Sequence, residues 1–141
     1  MSRFVLDCSI AMSWCFEDES QQVADSVLDR LLQEQVIVPA IWILEVANVL
    51  LIGERKGRLT PAQTAHFLAM SETLPIIVDQ PAWSKTLGDI FSLARTYQLT
   101  AYDASYLELA MREGAILATL DESLSAAAAK AGVEILGRNI F

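Results

Sequence analysis

Cysteine is scarce, with Cys8 and Cys15 the only two in 141 residues. Two thiols build no disulfide framework and no four-ligand zinc site. Glycine and proline, at 6 and 4, never gather into a linker. No Gly-x-x-x-x-Gly-Lys-Ser/Thr loop and no Gly-x-Gly-x-x-Gly occurs, so nucleoside triphosphate and dinucleotide readings have no support. His66 is the single histidine, which excludes acid–base work by a histidine pair within one chain. Basic residues are few: 10 Lys and Arg against 18 Asp and Glu leave a net charge of -8. Taken alone, that balance speaks against nucleic acid, whose affinity comes mostly from phosphate neutralisation. Long apolar runs are also missing. Residues 36–53 approach membrane-spanning length, but Pro39 breaks the run and Glu45 and Asn48 lie inside it, at several kcal/mol in lipid. They read as a buried strand followed by a core helix. The opening residues carry no signal-peptide pattern, so export is not expected and the two thiols suit a reducing cytoplasm.

What is present is apolar. Hydrophobic residues make up 53% and charged ones 20%, enough to bury a core in one domain over residues 1–141. Short apolar runs alternate with stretches of helical period, the pattern of βα units around a parallel sheet. Strands are expected at 3–6, 36–38, 75–79, 115–120 and 133–136. Helices are expected at 21–33, 40–56, from Thr60 and Pro61 onward, and at 82–97, 101–112 and 122–131. Phe67, Met70 and Leu74 should line one inner face, and Leu87, Ile90, Phe91 and Ala94 should fall on one side of the 82–97 helix. Five strands with helices between them predict an α/β three-layer sandwich, its central parallel sheet covered on both faces.

Sites in such sheets lie outside the carboxyl ends of the strands. Asp7 ends the first strand and Asp121 the fourth; Glu45 lies little more than a turn into the helix after the second, and Asp103 opens a later helix. Each has a plainer alternative. Asp103 after Thr100 resembles a capping box, and Asp7 or Asp121 could be an N-cap. Glu45 could sit on a wet helix edge shared with Asn48, although its neighbours are otherwise apolar. Two unit charges about 4 Å apart repel by about 4 kcal/mol at an effective dielectric of about 20, so clustered acids need protons, Lys or Arg, or a divalent cation. No Lys or Arg adjoins any of them in sequence, and hard oxygen ligands suit Mg2+ or Mn2+. Ser9 and Thr119 could hydrogen-bond the carboxylates.

Val5-Leu6-Asp7-Cys8-Ser9, Leu44-Glu45-Val46-Ala47-Asn48, Tyr102-Asp103-Ala104-Ser105-Tyr106 and Thr119-Leu120-Asp121-Glu122-Ser123, in this order, span nearly the whole chain. In these pieces the chain resembles the PIN-domain ribonucleases, and most closely the VapC-type toxins of toxin–antitoxin pairs. Cys8 stands where the family often has Thr or Ser. The resemblance implies a PIN-like parallel sheet, a pocket for Mg2+ or Mn2+ formed by Asp7, Glu45, Asp103 and Asp121, an antitoxin partner and a homodimer. With histidine pairs and nucleotide loops absent, metal-assisted phosphodiester hydrolysis remains, and the resemblance implies RNA as its substrate: Asp7, Asp103 and Asp121 as ligands, Glu45 as ligand or positioning base, and Ser9, Asn48 and Thr119 in support.

Arg55, Lys56 and Arg58 form the densest basic cluster and are the candidates to hold RNA, although a helix C-terminus attracts cations in any case. Tyr102 and Trp14 could stack on bases or pack in the core. Two rival readings remain: a receiver-like Mg-binding module using Asp79 as phosphoacceptor, and a non-catalytic interaction module presenting Trp14 and Phe16.

Overall fold

The computed structural model describes residues 3–16, 21–31 and 33–136. Strands β1 (Arg3–Leu6), β2 (Gln35–Val38), β3 (Ile76–Val78), β4 (Ile116–Ala118) and β5 (Ile135–Leu136) form one parallel sheet in the order β3-β2-β1-β4-β5. Between them run helices α1 (Cys8–Ser13), α2 (Gln21–Leu31), α3 (Ile41–Arg55), α4 (Pro61–Glu72), α5 (Trp83–Tyr97), α6 (Ala101–Glu113) and α7 (Glu122–Lys130). The chain steps outward from β1 to β3 and then crosses back, so β4 lands on the other side of β1. Phe4, Val5 and Leu6 are buried on both faces, as are Val36, Ile37, Val38, Leu117 and Ala118. Continuous apolar strands of this kind follow from a parallel sheet covered on both sides.

The helix ends obey local chemistry. Thr60 caps α4 in a full capping box with Gln63, and Pro61 occupies its first turn. Gly114, at φ 59, stops α6 in the left-handed conformation that glycine adopts without strain. At Gly53 the chain after α3 turns back so closely that an added Cβ would lie 3.1 Å from Leu59 and 3.3 Å from Phe16. The carbonyl of Gly53 accepts from the N–H groups of both Arg58 and Leu59. At the far end of α6, Arg112 donates to Glu108 on its own helix and to both oxygens of Asp79 beyond β3. That pairing ties the last turn of α6 to the segment after the edge strand β3.

Several expectations change. A helix directly after β1 was not expected; α1 has no polar face to betray it, since all its residues but Ser9 are buried. β4 ends at Ala118 instead of residue 120, because Thr119 and Leu120 leave the sheet on the way to Asp121. α5 exists as predicted, but of its apolar side Leu87 is 59% and Phe91 55% exposed beside Trp83, while Ile90 and Ala94 are half-buried. Leu93 and Tyr97 pack toward the core. Phe16 is buried, with the Arg58 guanidinium 4.0 Å above its ring, and is no free docking residue. α3 is a core helix on one side only: Trp42, Val46 and Leu50 turn inward, while Ile43, Leu44 and Leu51 are exposed. Among the described residues no helix is long and apolar enough to cross a membrane.

These placements separate two leucines. Leu117→Ala, in the centre of the sheet, should cost about 2–5 kcal/mol by chemical denaturation. Leu87→Ala should stay within about 0.5 kcal/mol of the parent chain; a core-sized loss there would contradict the outward orientation of α5.

Candidate active site

The strand order reverses between β1 and β4, and the carboxyl ends of these two strands open the crevice in which such sheets hold ligands. Asp7 follows β1 directly, and its backbone N–H donates to Ala118 at the end of β4. Its side chain does not cap α1. Instead, Oδ2 of Asp7 accepts from Ser9 Oγ at 2.8 Å and from Thr119 Oγ1 at 2.6 Å. Each hydroxyl also accepts: Ser9 Oγ from the Leu120 N–H beyond β4 at 2.9 Å, and Thr119 Oγ1 from the Asp121 N–H of its own segment at 3.0 Å. Of these four hydrogen bonds, Thr119 to Asp7 and Leu120 to Ser9 join the two strand ends around one buried carboxylate.

The other acids arrive from helices. Thr100 caps α6 by accepting from the Asp103 N–H, but the reciprocal half of the box, present in α4, does not form in α6. The Asp103 carboxylate is therefore not used as the sequence alternative required. Asp121 does cap α7, its Oδ1 accepting from the Leu124 N–H at 2.8 Å. Glu45, on α3, accepts through Oε1 from the phenol of Tyr106. Tyr106 was not among the sequence candidates. Its signal is faint but present: a tyrosine inside the buried run from Ala104 to Ala110 needs a partner for its hydroxyl.

Electrostatics tie the four acids together. Burial pushes the Asp7 carboxyl up, Thr119 and Ser9 counter part of that, and Asp121 raises it further. Glu45 is raised by burial and by Asp7, against the opposing hydrogen bond from Tyr106. Asp103 is pushed up to about 6 by burial and by Asp121, Asp7 and Glu45. Cys8 rises to about 12 through burial and the nearby Asp7 and Glu45, which makes it a poor thiolate. Among the described residues no Lys or Arg forms an ion pair with any of the four acids.

Carboxylate oxygens backed by hydroxyls suit a hard divalent cation of the Mg2+ or Mn2+ kind. Among the described residues no three such side chains meet in a ligand set as they stand. Glu45 accepts from Tyr106 and Asp121 caps its own helix; the carboxylate and hydroxyl donors around the crevice fit such an ion in kind. Beside the acids, Ile41, Leu44, Glu45, Asn48, Leu51 and Tyr102 line an open groove of about 580 Å³. Asn48 and Tyr102 are both exposed there. Arg55, Lys56 and Arg58 lie beyond the other end of α3, about 15 Å along the helix from Glu45. His66 is exposed on α4 and lines a separate groove with Trp14, which is half-buried. Asp79 follows an edge strand and is held by Arg112, which removes it as a phosphoacceptor in a central position.

An open parallel sheet with an acidic crevice at its switch point defines an acid-centred α/β domain. The PIN domain profile matches residues 4–130, and the chain belongs to that family. Ribonuclease VapC3 of Pyrobaculum aerophilum is 27% identical over 123 residues, which are 87% of this chain and 92% of that relative. PAE2754, from the same organism, has a solved structure that superposes with a TM-score of 0.70 at 23% identity, covering 96% of this chain and 90% of its own. VapBC2 of Rickettsia felis, solved bound to a DNA fragment from its promoter, gives 0.67 at 13% identity, over 96% and 98% of the two chains. The expected three-layer parallel fold and the PIN family are both borne out.

The raised acid of Asp103 has a sign that thermal melts can read. A carboxyl lifted from 3.8 to about 6 on folding binds its proton more tightly in the folded chain. Its contribution to stability is therefore fully present below pH 3.8 and is lost as pH rises through 6. In chelator, the Tm of Asp103→Asn should gain on that of the parent chain across this window and hold the gain above it. A constant difference from acid to neutral pH would contradict the repulsion.

Proposed function

We propose that the protein is a divalent-metal-dependent endoribonuclease that acts in the cytoplasm as the toxin of a toxin–antitoxin pair. The observation that supports this reading is that Asp7, Glu45 and Asp121 lie near enough to Asp103 to raise its carboxyl, with no basic partner among the described residues, in a chain of the PIN family. The naming of the relative Ribonuclease VapC3 supports the RNA substrate. Mg2+ or Mn2+ would supply Lewis acidity and a water of lowered pKa for in-line attack on a phosphodiester.

The chain's own residues do the rest. Asp7, Asp103 and Asp121 are the proposed ligands, direct or through water, and Glu45 is a ligand or the base that orients the attacking water. Ser9 and Thr119 hold the Asp7 carboxylate by Oδ2 and keep that oxygen facing the β4 end. Asn48 and Tyr102 stand in the groove beside Glu45, within the path of a bound strand. Arg55 at the end of α3, Lys56 at its cap and Arg58 in the turn beyond are the proposed phosphate contacts.

Partners follow from the same surfaces. The exposed apolar residues of α3 and α5, among them Leu44, Trp83 and Phe91, support assembly with an antitoxin and with a second copy of the chain. A basic antitoxin segment would be drawn to the acidic crevice. The alternative, a PIN-like interaction module without catalysis, keeps those surfaces but needs no cation.

Purified protein incubated with structured RNAs should cleave at least one of them in Mn2+ or Mg2+ and not in chelator. Asp7→Asn should abolish cleavage while keeping the circular dichroism spectrum of the parent. Full activity in that variant, or no metal-dependent cleavage by the parent chain, would sink the proposal.

A further inference from the structure

We propose that Tyr106 is a positioning residue that holds Glu45 at the acidic crevice, an inference that rests on the metal-dependent ribonuclease reading. Tyr106 is fully buried on α6, its ring part of the core, and only its hydroxyl reaches the crevice. There it donates to Oε1 of Glu45 on α3, a residue 61 positions away in the chain. A phenol donating to a carboxylate makes a charge-assisted bond, stronger than one to a neutral acceptor.

Glu45 needs such an anchor more than the other acids do. Asp7 is held by Ser9 and Thr119, and Asp121 by the first turn of α7. Glu45 has a longer side chain on a half-exposed helix face, next to a groove wide enough for it to swing into. Asp7 and Asp103 repel it, which drives it toward that groove. Among the described residues the Tyr106 phenol is the hydrogen-bond partner of its side chain, and it opposes that motion. Asp103 and Tyr106 stand three residues apart on α6 and so share a helix face. One helix therefore contributes one acid and restrains another.

The test combines Mn2+-induced Tm shifts without RNA and steady-state cleavage of an RNA that the parent chain cuts, for Tyr106→Phe, Glu45→Gln and the double variant. Tyr106→Phe should move the Mn2+ midpoint to higher concentration and lower kcat by about 10–100-fold with KM little changed, the usual size of effect for a group that orients a ligand. It should add nothing in the Glu45→Gln background, because a residue acting through Glu45 has no further effect once that carboxylate is gone. An unchanged midpoint and kcat with a lower metal-free Tm would make Tyr106 a packing residue only. A lower midpoint would mean that the bond holds Glu45 away from the cation, and an undiminished effect in the double variant would mean that Tyr106 acts elsewhere; each overturns the proposal. Should Tyr106→Phe fail to fold, Glu45→Asp withdraws the carboxylate from the phenol, with the same midpoint shift expected and an unchanged midpoint counting against. Mn2+ shifts as expected without any RNA cleavage would remove the ribonuclease reading and leave the positioning role; no Mn2+ response in the parent chain removes both.

Discussion

A carboxylate buried at the end of the central strand, surrounded by hydroxyls and further carboxylates, sets the terms for everything near it. Asp7 is desolvated, and Thr119 and Ser9 return only part of what water supplied. A buried anion without a cation is costly, and the crevice adds three more acids to it. Hydrogen bonding at the β1 and β4 ends is arranged around that one acceptor oxygen.

Five of the ten Lys and Arg are engaged away from the four acids. Arg112 binds Glu108 and Asp79, Arg3 binds Glu113, and Arg30 binds Glu34. Arg58 and Arg95 lie over the rings of Phe16 and Phe91. The Arg112 pairing anchors the C-terminal half of α6, while the N-terminal half carries Asp103 and Tyr106. Stability and site thus share one helix but not one end of it. The net charge of -8 therefore includes a local excess at the crevice, and one divalent ion would offset two of those charges. An acidic chain is compatible with RNA on these terms, provided the cation precedes the phosphate.

Much of this was legible in the residues. The five strands and the helices from α2 onward follow from periodicity and from caps such as Thr60 with Gln63 and Thr100 with Asp103. The four acids were found because each falls just after a strand or early in a helix. Three features were not legible, each for a physical reason. α1 is buried nearly all round and so has no amphipathic signal. The stripe of Leu87 and Phe91 has the right period for a core face, but periodicity does not say which side of a helix meets the sheet. Tyr106 lies among apolar residues, and nothing local tells that its hydroxyl meets an acid on another helix. The apolar neighbours of Glu45 also misled in part, since Leu44 and Ile43 face solvent and only one side of α3 is core.

Burial and mutual repulsion raise the Asp7, Glu45 and Asp103 carboxyls, a cost that protons or a divalent cation would relieve. Calorimetric titration with Mn2+ in buffers of different ionisation enthalpy counts the protons released on binding. Binding accompanied by proton release near pH 6 that fades toward pH 8 is the predicted result, because the Asp103 carboxyl, at about 6, must give up its proton to the ion. Binding without proton release at any pH, or no binding at all, would contradict the account.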